Sequence, residues 1–143
     1  MAPDRLDVER GSATDIYVDP SDPNHAYITY SGYNAVTPAT PGHVFDVHYD
    51  PANGTATFTS LDGTGPHALG DLPVGTIQRD EKKGTLYVGT DFGVVERVND
   101  NTAWRSAMPG LPNTVVPYLK IDQSKRVMYV TTHGFGAWTL NLP

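Results

Sequence analysis

The stretch Thr76-Ile77-Gln78-Arg79-Asp80, followed after a polar gap by Leu86-Tyr87-Val88-Gly89-Thr90-Asp91-Phe92-Gly93, decides the fold, because its pattern occurs three times in the chain. Upstream, Thr14-Asp15-Ile16-Tyr17-Val18-Asp19 leads into Ala26-Tyr27-Ile28-Thr29-Tyr30-Ser31-Gly32. Downstream, Tyr118-Leu119-Lys120-Ile121-Asp122 leads into Met128-Tyr129-Val130-Thr131-Thr132-His133-Gly134. Each copy begins with an apolar-alternating strand that closes on Asp, then turns and reopens on an apolar-Tyr-apolar run. From that Asp to that Tyr the interval is eight, seven and seven residues. Self-similarity of this kind marks one supersecondary unit used repeatedly, each copy burying a face against the next.

Working outward, a third strand is expected over residues 44–49 and 94–98, and a fourth over 55–61 and 103–107. Each of these two units then closes on a Leu-Pro, at Leu72-Pro73 and Leu111-Pro112. Four strands in about 40 residues is the period of a propeller blade. The expected fold is therefore all-β, a β-propeller segment of about two and a half four-stranded antiparallel blades. Residues 1–12 are an outer strand from a preceding blade or a ring-closing strand, 13–73 a blade with two insertions, 74–112 a second blade, and 113–143 an incomplete terminal blade. The insertions, 34–42 and 62–68, are rich in Gly, Pro and Thr and are expected to be surface loops. Residues 126–132 and 136–142 supply strands of the third unit. The alternating Arg5-Leu6-Asp7-Val8-Glu9 is the expected partner for that unfinished blade, since pairing would remove an exposed edge. Propellers carry about 4–8 blades, so the ring is completed by remaining blades of a longer chain in cis or by identical copies in trans.

Composition narrows the partners. A net charge of −6 and no basic run longer than Lys82-Lys83 argue against nucleic acid, which asks for a basic face. No apolar stretch approaches the 18 or so residues of a membrane span. Cysteine is absent, which removes disulfides, thiolate metal sites and Cys nucleophiles together. Met1-Ala2-Pro3-Asp4-Arg5 lacks the apolar region of a signal peptide, so the leader of an exported parent would lie outside this sequence.

Several stretches resemble the Asp-box (BNR-type) propellers, the superfamily of sialidase, xyloglucanase and sortilin-like repeats. They are Asp19-Pro20-Ser21-Asp22-Pro23-Asn24, Tyr87-Val88-Gly89-Thr90-Asp91-Phe92-Gly93-Val94, Gly110-Leu111-Pro112-Asn113, and Thr132-His133-Gly134-Phe135-Gly136-Ala137-Trp138. The last is similar to a THGRGVW ending, with Phe135 where Arg is usual. The resemblance covers nearly the whole chain from Ala13. The hairpin signature S-x-D-x-G-x-T-W is eroded: Arg97, Asn99, Asn101 and Ala103 stand before Trp104, and only the tryptophan is kept. Asn can still brace such a turn with its side chain. The resemblance implies an extracellular or cell-surface bacterial protein. It also implies either a non-catalytic scaffold with a carbohydrate- or protein-binding face, or the C-terminal part of a glycoside hydrolase whose catalytic acids lie mostly in other blades.

The residues themselves offer no recognisable catalytic motif, and the catalytic set is unknown. Glycoside hydrolysis needs two carboxylates about 5–9.5 Å apart, one with a raised pKa. Asp15, Asp46, Asp71, Asp91 and Glu96 are available acids and Tyr30, Tyr33 and Tyr118 available phenols, none in a matching motif. Asp19, Asp80 and Asp122 recur at one place in the repeat, which points to a turn role. Asp91 instead shares its repeat position with Ser31 and His133, and positions that vary at strand ends are where propellers place ligand contacts; the alternative is that Asp91 caps the turn before Gly93. The candidate ligand-binding residues are Tyr33, Asp91, Phe92, His133 and Phe135, for a saccharide or a protein. Trp138, Tyr87 and Tyr129 fall inside strands and are expected in the core. No metal is assigned: the histidines are scattered, and His43 and His48 have opposite strand parity. Gly134-Phe135-Gly136 lacks the remainder of a dinucleotide motif, so no cofactor is expected.

Overall fold

A computed structural model describes residues 6, 10–98 and 101–143. Among them eleven strands form three consecutive antiparallel sheets and no helix occurs. Sheet one runs in order through β1 (Ser12–Val18), β2 (His25–Ser31), β3 (Val44–Asp50) and β4 (Thr55–Ser60). Sheet two comprises β5 (Val74–Asp80), β6 (Thr85–Thr90), β7 (Gly93–Arg97) and β8 (Arg105–Ser106), and sheet three β9 (Tyr118–Asp122), β10 (Val127–Thr131) and β11 (Ala137–Asn141). The innermost strands β1 and β5 even share a defect, a register shift at Ala13/Asp15 and at Val74/Thr76. Among the described residues no helix is long and apolar enough to cross a membrane.

The sheets stack as propeller blades because their inner strands are laced side by side. Asp15 accepts hydrogen bonds from the Thr76 hydroxyl at 2.8 Å and the Ile77 amide at 3.0 Å. One blade on, the Thr76 hydroxyl accepts from the Leu119 amide and the Gln78 side chain from the Ile121 amide, both at 3.3 Å. Partners advance in the same direction along each pair, so β1, β5 and β9 run parallel. Apolar side chains fill the space between sheets. Tyr27, Val44, Val74, Ile77, Leu86, Val88 and Trp104 cluster between sheets one and two. Tyr87, Val94, Val116, Leu119, Met128 and Val130 cluster between sheets two and three.

The repeated tyrosine follows this stacking. Tyr27 is 9% exposed and Tyr87 1%, each covered by the following sheet, whereas Tyr129 is 48% exposed. The expectation of a core position therefore holds for Tyr87 and fails for Tyr129, whose face of sheet three has no sheet upon it among the described residues. It fails also for Trp138, 37% exposed at the sheet's end, where its indole N–H donates to the Phe135 carbonyl at 2.9 Å. On the opposite flank Ile16 and Val18 are 56% and 50% exposed.

Two local expectations change. β8 is shorter than residues 103–107, because the Ala103 amide donates to the Asn101 side chain and the Trp104 amide to the His67 carbonyl rather than to β7. The insertion at 62–68 is not wholly superficial: Asp62 is buried and accepts from the amides of His43 and Val44 and from the His43 ring. Residues 5 and 7–9 of the expected N-terminal strand lie outside the described residues, and Leu6 is exposed and in no strand.

Candidate functional site

Because β1, β5 and β9 run parallel, the connections β2–β3, β6–β7 and β10–β11 emerge at one end of the stack. That end carries all five predicted ligand residues. Thr90 shapes the β6–β7 turn: its hydroxyl accepts from the Phe92 amide at 3.1 Å and donates to the Gly93 carbonyl at 2.9 Å. Thr132 repeats this at the β10–β11 turn, accepting from the Phe135 amide and donating to the Gly136 carbonyl. The capping role considered for Asp91 thus belongs to the preceding threonine, and Phe92 and Phe135 are left 62% and 54% exposed.

A single connector ties these two turns together. The Val116 amide donates to the Thr90 carbonyl and the His133 amide to the Val115 carbonyl, each at 2.9 Å, while the Thr114 hydroxyl donates to the His133 carbonyl at 2.8 Å. Gly89 makes the close approach possible, since a Cβ there would lie 2.5 Å from the Val116 carbonyl oxygen. Asp91, Phe92, His133 and Phe135 therefore occupy one continuous stretch of surface. Tyr33 is exposed on the adjoining β2–β3 loop, which is anchored by the Asn34 amide donating to Asp71 at 2.8 Å.

Beside Phe92 lies a groove of about 270 Å³, lined by Val94, Ser106, Met108, Leu111 and Asn113. The groove is of mixed character, its exposed lining more polar than apolar, with the Phe92 ring at its rim. The sequence reading did not name Met108, Leu111 or Asn113 as ligand residues. The Leu-Pro that closes each unit was the available signal, because it places Leu111 beneath the turn.

The remaining acids named in the sequence are engaged in structural contacts. Asp15 is held by β5, Asp71 by the Asn34 amide, and Glu96 by Arg105 at 2.7 Å. Asp19, Asp50 and Asp122 are held below the usual carboxylate range by hydrogen bonds within their own turns, to Ser21, to Asn53 and Ala52, and to Ser124 and Lys125. In Asp80 burial pushes upward most strongly, but the two-pronged bond from Arg126, at 2.5 and 2.6 Å, its charge and the amides of Lys82 and Lys83 together outweigh it, and the carboxyl is also depressed. A general acid needs the opposite displacement. These shifts support the turn role expected of Asp19, Asp80 and Asp122.

At the other end of the stack, strand register sets His25 opposite His48, with Asp46 two residues before His48 on the same face. The ring Nε2 atoms of His25 and His48 lie 2.9 and 3.2 Å from the same Asp46 oxygen. Asp46 also reaches a cleft of about 180 Å³ between sheets one and two, with Tyr27, Leu86 and Arg97. Sequence spacing concealed this group, since only strand pairing brings His25 to His48.

Comparison with known proteins leaves the chain without a family assignment: no family model matches it, and neither does any curated protein.

Proposed function

We propose that this chain is a non-catalytic propeller segment that supplies blades to a larger ring and presents a ligand-binding face. On this reading it is an extracellular or cell-surface bacterial protein, in keeping with its resemblance to Asp-box repeats. The observation that carries the proposal is the exposure of one repeated residue. Tyr27 and Tyr87 are covered by the following sheet, and the equivalent Tyr129 presents the same chemistry to solvent. Full burial of an aromatic side chain contributes about 1.5–3 kcal/mol, so a repeat that keeps the tyrosine keeps a packing site. Ile16, Val18 and the partly buried Ile28 form the matching apolar flank on sheet one. Further blades in cis, or copies in trans, would cover both flanks.

The ligand face is the end bearing Tyr33, Asp91, Phe92, His133 and Phe135. Its exposed rings suit stacking on a saccharide or packing on a protein loop. The test is a glycan array followed by titration of any hit against the wild type and Phe92→Ala. Saturable binding lost in the variant supports the proposal. Hydrolysis of xyloglucan or a sialoside by the isolated chain would overturn the non-catalytic reading in favour of a glycoside hydrolase segment.

A further inference from the structure

We propose that His25, Asp46 and His48 form a binding site for a borderline divalent cation of the zinc type, at the end of the stack opposite the ligand face. The antiparallel register of β2 and β3 fixes the set. His25 and His48 are directly paired, and Asp46 projects from the same face of β3. Their donor atoms all lie within 4.8 Å of one another. Two imidazoles and one carboxylate, leaving further positions to water, are a donor set suited to zinc and unsuited to magnesium or calcium, which take oxygen ligands.

A second observation orients the set toward a cation. The Nδ1 of His25 lies 3.0 Å from the Asp19 carboxylate, and Asp19 is fixed by the amide and hydroxyl of Ser21 at 2.8 and 2.6 Å. Metal-ligating histidines generally donate their other ring N–H to such a carboxylate, which sets the tautomer and aims the free nitrogen. Here that nitrogen, Nε2, faces an Asp46 oxygen at 2.9 Å. Two electron-pair donors at that separation require a proton or a cation between them. The site is half sheltered, with side-chain exposures of 13% for His25, 28% for Asp46 and 60% for His48.

The rings of His25 and His48 are stacked, with centroids 4.4 Å apart and planes within 2°. An ion coordinated by both must lie near both ring planes, so binding requires one ring to tilt. His25 is held by Asp19 and packs edge-on against Tyr27 at 4.9 Å. The exposed His48 is therefore the ring that moves, closing over an ion first held by His25 and Asp46.

The experiment is calorimetric titration of the untagged chain with ZnCl₂, with MgCl₂ as control. The expected result is one zinc per chain and no saturable magnesium binding. His48→Ala and Asp46→Asn should each weaken zinc at least tenfold, and Asp19→Ala about tenfold through the lost orienting bond. His67→Ala, an exposed histidine elsewhere, should leave it unchanged. NMR of the histidine rings provides a readout that needs no variant: zinc should shift the His25 and His48 signals and spare those of buried His43. Absence of saturable zinc binding, binding that survives both His48→Ala and Asp46→Asn, or ring shifts confined to other histidines would overturn the proposal.

Discussion

Trp104 offers the sharpest test of how the blades adhere. It is the residue kept from the eroded hairpin signature, it is 5% exposed, and it packs from the edge of sheet two into the cluster shared with sheet one. Its indole N–H donates to the Leu61 carbonyl at 2.8 Å, across the blade boundary. Truncation to alanine removes on the order of 200 Å² of aromatic burial. At about 25 cal/mol per Å² this corresponds to about 5 kcal/mol, an upper bound because the unfolded chain already hides some surface. Losing the hydrogen bond adds about 1 kcal/mol and partial collapse of the cavity subtracts from the total. We expect Trp104→Ala to cost about 4 kcal/mol, and Trp104→Phe, which keeps most of the ring area, about 2 kcal/mol. The assay is urea unfolding followed by circular dichroism, with the fluorescence of Trp138 as a second probe. For a domain of this size the alanine variant should also melt about 10–15 °C lower. A cost below about 1 kcal/mol for Trp104→Ala, or equal costs for the two variants, would refute the claim that Trp104 joins the sheets.

Other consequences follow from single contacts. Burial pulls the His43 pKa down, but the Asp62 hydrogen bond and charge, the Gly32 carbonyl and the Asp71 charge outweigh it and hold the ring above its ordinary value. The folded state thus keeps a proton that the unfolded chain loses near pH 6.5. Its contribution is complete below that pH and is lost as pH rises through the folded value. Melting temperature should therefore fall from pH 6 toward pH 8, and a flat profile in His43→Gln would confirm the source, whereas an unchanged slope would reject it. Gly89→Ala places a methyl group 2.5 Å from the Val116 carbonyl oxygen, so it should destabilise by about 1–3 kcal/mol in urea unfolding. Phe92→Ala exposes the groove floor without removing core area, so it should leave the melting temperature within about 2 °C while abolishing any saccharide or peptide binding.

The fold was largely legible because strand alternation and a repeated Asp-to-Tyr interval are local patterns with a physical period. The turn role of Asp19, Asp80 and Asp122 was legible for the same reason, each carboxylate accepting an amide within its own turn. What escaped depends on strand pairing or on neighbours beyond the repeat. His25 and His48 become partners only through the β2–β3 register. Asp62 sits in a Gly-rich stretch that suggests a loop, yet its carboxylate collects the His43 and Val44 amides that begin β3. Tyr129 has the same apolar-Tyr-apolar pattern as its two buried counterparts, and it is exposed because no sheet covers it among the described residues. The candidate ligand face was named from position in the repeat, but Met108 and Leu111 lie in the connector after β8, where no alternation marks them.

The central claim is that both flanks of the stack are blade-packing surfaces. Sedimentation velocity over a wide concentration range tests it directly, comparing the wild type with Ile16→Lys and Tyr129→Lys, one charge on each flank. The account predicts that the 15.5 kDa chain associates as concentration rises and that either substitution returns it to a monomer. A wild type that sediments as a 15.5 kDa monomer throughout, indistinguishable from both variants, would contradict it.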